Sequence, residues 1–172
     1  MTLAVDGDGV EIELETPLAN VLSFEHAPET DEQRNEVGTM AARMLKGEVL
    51  FVLPKDAQCS LKDLSMKSGV IDDALLFPDN GDNEKNGVAH GGNAEKSVND
   101  SDGGSSGTGV HRGLGDLDVN IFFVCSKPDK LTSIRVDLFD AFPDLRELEV
   151  QMLTPKGQGA AELTANARII RW

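Results

Sequence analysis

The chain has 172 residues, of which 40% are hydrophobic, enough for one domain with one core. Its 16 Lys and Arg residues against 30 Asp and Glu leave a formal net charge of −14 and a pI near 4.5. The basic residues are scattered, which excludes a nucleic-acid binder, and no run of about 18 apolar residues exists to span a membrane. An excess of acid serves solubility first and an affinity for cations second. No basic leader with an apolar stretch behind it opens the sequence, which leaves either a cytosolic protein or the mature part of a secreted one.

Leu3 and Val5 lead into Asp6-Gly7-Asp8-Gly9 and then Val10-Glu11-Ile12-Glu13-Leu14-Glu15. Strict apolar–acidic alternation predicts a half-buried strand, and the glycine-bearing tetrapeptide predicts a hairpin. Pro17 ends the strand because it has no N–H for the ladder. An irregular stretch over 21–28 precedes a helix. Thr30 is its N-cap, Gln33 completes a capping box, and Asp31 and Glu32 suit the positive end of the helix dipole. Val37, Met40, Ala41, Met44 and Leu45 form one apolar stripe, and Gly47 reads as the C-terminal stop. Leu50 to Leu53 is a short buried connection or strand, and Ala57 to Met66 a further strand.

Composition changes from Pro78 to Gly115. This stretch holds 10 of the 17 glycines, and its only large apolar residues are Val88, Val98, Val110 and Leu114. Ordering such a segment costs roughly 1–2 kcal/mol per residue in backbone entropy, which so little apolar surface does not offset. Residues 78–115 are therefore expected to be a disordered insertion inside a single domain spanning 1–172.

Leu117 to Cys125 is apolar on both faces around Ile121-Phe122-Phe123-Val124, the pattern of a central strand. Lys127-Pro128-Asp129 is a turn. Ile134, Val136 and Leu138 alternate as a strand, and Phe139 to Phe142 form a helical turn stopped by Pro143. Leu148, Val150 and Met152 mark another strand, which Thr154-Pro155-Lys156-Gly157 turns back onto Ala160 to Leu163. Ile169-Ile170 closes the chain with a short strand. Without repeated βαβ units, the fold class is α+β: a mainly antiparallel sheet packed by one main helix.

Cys59 and Cys125 lie too far apart for a CxxC motif, leaving two buried thiols or one disulfide. If the strands around them pair antiparallel with the two cysteines opposed, paired residue numbers sum to 184. That register puts Leu64 opposite Asn120 and Met66 opposite Asp118, which does not match apolar to apolar throughout. A bridge there closes a long loop and implies an oxidising compartment.

Enzyme templates fail in turn. Gly104-Ser105-Ser106-Gly107 lacks the strand and helix of a nucleophile elbow, and no P-loop or dinucleotide fingerprint occurs. Calcium loops counted from Asp6 and Asp79 close on Pro17 and His90 instead of glutamate, so both are turns. The expectation is a non-enzymatic protein. Only three histidines are present, His26, His90 and His111, with no HxH or HxxxH pair, and they are the candidate metal ligands. Taken alone, His26 beside Glu25 reads as structural. Acid pairs such as Asp72-Asp73 and Glu147/Glu149 read as solvated faces.

Several collinear segments carry a family resemblance: Glu11 to Pro17, Phe24-Glu25-His26-Ala27-Pro28 with Gln33, Leu50 to Pro54 leading to Cys59, Cys125, Leu131-Thr132-Ser133, Leu138-Phe139-Asp140-Ala141-Phe142-Pro143, and Gln151 to Gln158 with Glu162-Leu163-Thr164. Together they resemble the ZrgA family of periplasmic zinc-uptake accessory proteins. The resemblance implies a secreted precursor, a periplasmic location, zinc binding that assists a metal importer, and the Cys59–Cys125 disulfide. Metal binding in the family is associated with a histidine-rich insertion and N-terminus. Here the insertion carries only His90 and His111, and the start carries none. The leading expectation is weak zinc binding by the loop histidines and acids, with transfer to a transporter component. The rival is a metal-independent protein-interaction module.

Overall fold

The computed structural model describes residues 1–77 and 115–172. Strands β1 (Thr2–Asp6) and β2 (Gly9–Pro17) form the expected hairpin. Gly7 takes a φ of +58°, which the first central residue of a type II′ turn requires and glycine supplies without strain. The helix α1 (Asp31–Met44) starts on a complete capping box between Thr30 and Gln33 and buries Val37, Met40, Ala41 and Met44.

The helix stops before Gly47, which opens a short second helix α2 (Gly47–Leu50) and is not a C-terminal cap. Its role is close packing, because a Cβ there would stand 3.1 Å from Leu64 Cδ1. Next come β3 (Phe51–Val52), β4 (Cys59–Ser68) and the turn-length helix α3 (Asp73–Leu76). Asp72 caps α3 by accepting from Ala74 N at 2.8 Å, so the Asp72-Asp73 pair is a helix start. The expected insertion falls outside the described residues except for Gly115, whose carbonyl accepts from Leu18 N at 2.7 Å.

The remaining elements are β5 (Asp116–Cys125), β6 (Ser133–Val136), α4 (Leu138–Ala141), β7 (Glu147–Thr154), β8 (Gly157–Thr164) and β9 (Ile169–Arg171). Leu138, expected as a strand residue, is the first residue of α4 and is fully buried. The strands make two sheets. Six run in the order β4-β5-β2-β1-β7-β8, and three more in the order β3-β6-β9. All pairings are antiparallel except β1 with β7.

Strand β5 lies inside the large sheet as expected, but only one of its faces is buried: Phe123 is in the core, whereas Phe122 is 39% exposed. Leu3, Val5, Val10, Ile12, Leu14, Val119 and Ile121 share the inner side with α1. The outer side is solvated and carries Glu11, Glu13, Glu15, Glu147 and Glu149.

The two cysteines form a disulfide with their Cα atoms 3.8 Å apart on paired strands. From Cys59 to Leu61 the register obeys the expected sum of 184. A β-bulge at Lys62 then changes it to 185, which places Leu64 opposite Ile121 and Met66 opposite Val119. The extra residue thus reconciles the disulfide register with an apolar match that a uniform ladder fails to give.

In the smaller sheet, Arg168 pairs with Asp140 and lies 3.7 Å from Asp137, which also holds Arg135 at 2.8 Å. These pairs fasten α4 to β6 and to the turn before β9. No helix among the described residues is long and apolar enough to cross a membrane.

Candidate functional site

Of the three candidate metal ligands, His90 and His111 lie outside the described residues, and His26 is placed clearly. It sits in the connection between β2 and α1, whose sequence fixes it from both sides. Phe24 is buried in the core. Downstream, Gln33 Oε1 accepts from Glu29 N at 2.8 Å and from Thr30 N at 3.2 Å, tying the loop to the helix start. Upstream, the Glu36 carboxylate accepts from Ser23 N at 2.6 Å and Ser23 Oγ at 2.8 Å. Glu36 is thereby committed to holding the loop.

The His26 ring is solvent-exposed and tilts 39° against Phe24, with centroids 5.3 Å apart. Its Nδ1 lies 2.8 Å from the Ala27 carbonyl oxygen. A carbonyl only accepts, so Nδ1 is the donor in this contact. Nε2 has no hydrogen-bond partner among the described residues. Metal-ligating imidazoles use this arrangement, in which a backbone carbonyl fixes tautomer and ring orientation while the other nitrogen binds.

The loop also meets Gly115, the first described residue after residue 77. A Cβ on Gly115 would stand 3.0 Å from the Glu25 carbonyl oxygen and 3.2 Å from Glu25 Cβ. A side chain there would push the Glu25 backbone aside by a few tenths of an ångström, so glycine suits this close approach beside the residue preceding His26. Sequence pattern did not single out this contact, although a glycine at the edge of a low-complexity stretch was the available signal.

Among the described residues no group of three or more His, Cys, Asp or Glu stands in position to hold a metal ion. His26 is therefore a single oriented nitrogen donor, and both cysteines are committed to the disulfide. A complete tetrahedral zinc shell drawn on His26 needs further ligands from elsewhere.

No curated protein matches the chain closely enough to count as a relative. A family model described as "ZrgA family zinc uptake protein" matches residues 1–172, the whole chain. On that match the chain belongs to the ZrgA family of zinc uptake proteins.

Proposed function

We propose that this protein is a non-enzymatic periplasmic accessory of zinc uptake that binds zinc weakly as cargo and passes it to a component of an importer. His26, His90 and His111 supply the nitrogen ligands, with neighbouring acids completing the shell. The family match supports the uptake role. The Cys59–Cys125 disulfide supports an oxidising compartment.

The observation that carries the metal reading is the exposed His26 ring, held at Nδ1 by the Ala27 carbonyl and following directly on Glu25, which Gly115 approaches. His111 stands four residues before Gly115, and four residues reach at most about 14 Å. A sequence separation of that size is enough for a second imidazole to meet His26.

Titration calorimetry tests the proposal. Zinc is expected to bind the full chain at micromolar affinity. Binding should be lost when residues 78–114 are replaced by a short Gly-Ser linker that leaves Gly115 in place. No heat from the full chain, or equal affinity in both proteins, would reject the reading. Silence from the full chain would favour the interaction module instead.

A further inference from the structure

We propose that the Cys59–Cys125 disulfide undergoes thiol–disulfide exchange in the folded protein, with an incoming thiolate attacking Cys59 from the cavity beside β3. The two sulfurs are not equivalent. Cys125 is 1% exposed within the core, whereas Cys59 is only partly buried. A cavity of about 340 Å³ opens at Cys59, walled by Glu48, Phe51, Leu53, Pro54, Lys55 and Phe123. This volume accepts the stem of a thiol reagent, and Cys125, buried in the core, has no comparable approach.

The cavity wall carries one acid and one base, and the Glu48 carboxylate is engaged by the Leu61 N–H, which donates to its Oε1 at 3.1 Å. Thiolate is the attacking species, and a nearby ammonium favours it. Lys55 lies in the cavity wall, and its ammonium has no ion-pair partner among the described residues. The backbone reaching Cys59 is also under strain, because Gln58 adopts a φ of +52°, a left-handed conformation that disfavours a non-glycine residue.

The exchange balances as follows. A reductant thiolate forms a bond to Cys59 Sγ, the Cys59–Cys125 bond breaks, and Cys125 leaves as a thiolate that takes a proton from solvent. A second reductant thiol then attacks the mixed disulfide on the reductant's own sulfur and releases the Cys59 thiol. Two electrons and two protons pass from two thiols to the two cysteines, and the reductant becomes a disulfide.

The probe is reduced glutathione added to the oxidised full chain, followed by acid quench and peptide mass mapping. Glutathione is expected on Cys59 in at least about tenfold excess over Cys125, at a rate linear in glutathione concentration. Lys55→Gln should slow the reaction roughly threefold at low salt. Leu53→Trp, which fills the cavity, should slow it further without raising the unfolding rate. The proposal is overturned by attack at Cys125 or equally at both sulfurs. A rate that levels off at the global unfolding rate also overturns it, as do Lys55→Gln and Leu53→Trp proteins that both react like the parent.

Discussion

Removing the disulfide by the double substitution Cys59→Ala and Cys125→Ala isolates how much the covalent link contributes. The bond joins residues 66 apart in sequence. On the chain-entropy account, closing a loop of that length removes about 15 cal/mol/K from the unfolded ensemble, or about 4 kcal/mol at 25 °C. The folded side should change little, because hydrogen bonds hold the same junction. Cys125 N donates to Asp8 O at 2.8 Å, Ser126 N to Gln58 O at 3.1 Å, and Lys127 N to Ala57 O at 2.9 Å. The substituted protein should therefore fold, given the 5–15 kcal/mol typical of domains. Urea unfolding followed by circular dichroism reads the difference. With a slope of about 2 kcal/mol per molar, the midpoint should fall by about 2 M. A fall of less than about 0.5 M would refute the reasoning, since the unfolded chain would then gain no measurable freedom from losing the link.

Gly115→Ala should destabilise the protein by about 1–3 kcal/mol and shift the resonances of Glu25 and His26, because the new methyl stands 3.0 Å from the Glu25 carbonyl oxygen and displaces it. Wild-type stability together with unchanged resonances would dismiss the close approach. Deleting Lys62 should be tolerated within about 1 kcal/mol, since β4 then pairs continuously with β5 and keeps both the disulfide and the Leu64–Ile121 pair; a protein that fails to oxidise would contradict this. Arg168 holds the Asp140 carboxyl below the usual carboxylate value of 3.8. A depressed folded-state pKa stabilises above that value and is lost as pH falls through the lowered one. Arg168→Gln should therefore lower the thermal midpoint at neutral pH, and its gap from the parent should close in acid below about pH 3.8. A gap independent of pH would remove the ion pair from the account.

The local devices were legible in the sequence because their chemistry is local. Asp6 to Gly9 specified a tight hairpin, Thr30 with Gln33 specified a helix start, and alternation in β2 and β7 specified one wet and one dry face. What escaped depends on partners distant in sequence. Nothing near Thr2 announces that β1 pairs parallel with a strand some 150 residues later. Leu138 continues the alternation of Ile134 and Val136, yet the chain turns into α4 there, where Leu138 stays buried as the first residue of a helical turn. Gly47 resembles a cap by position and is instead a packing glycine, because its neighbours Leu64 and Ile121 come from strands that the local pattern cannot place.

The candidate site divides the same way. Sequence supplied His26 as a residue type but gave no orientation. The useful fact, a backbone carbonyl holding Nδ1 while the exposed ring stacks obliquely on the buried Phe24, depends on the path of the loop. The register between β4 and β5 shows how near such reasoning comes. Opposing the cysteines was right for three residue pairs, and the mismatch beyond them was itself the signature of the bulge at Lys62.

Nitrogen-15 NMR of the histidine rings, recorded as zinc is added to the full chain, tests the central claim most directly. Zinc should move the Nε2 resonance of His26 while its Nδ1 stays protonated against Ala27, and at least one of His90 and His111 should move in step. Three imidazole spectra that do not change through an excess of zinc would contradict a metal-carrying role.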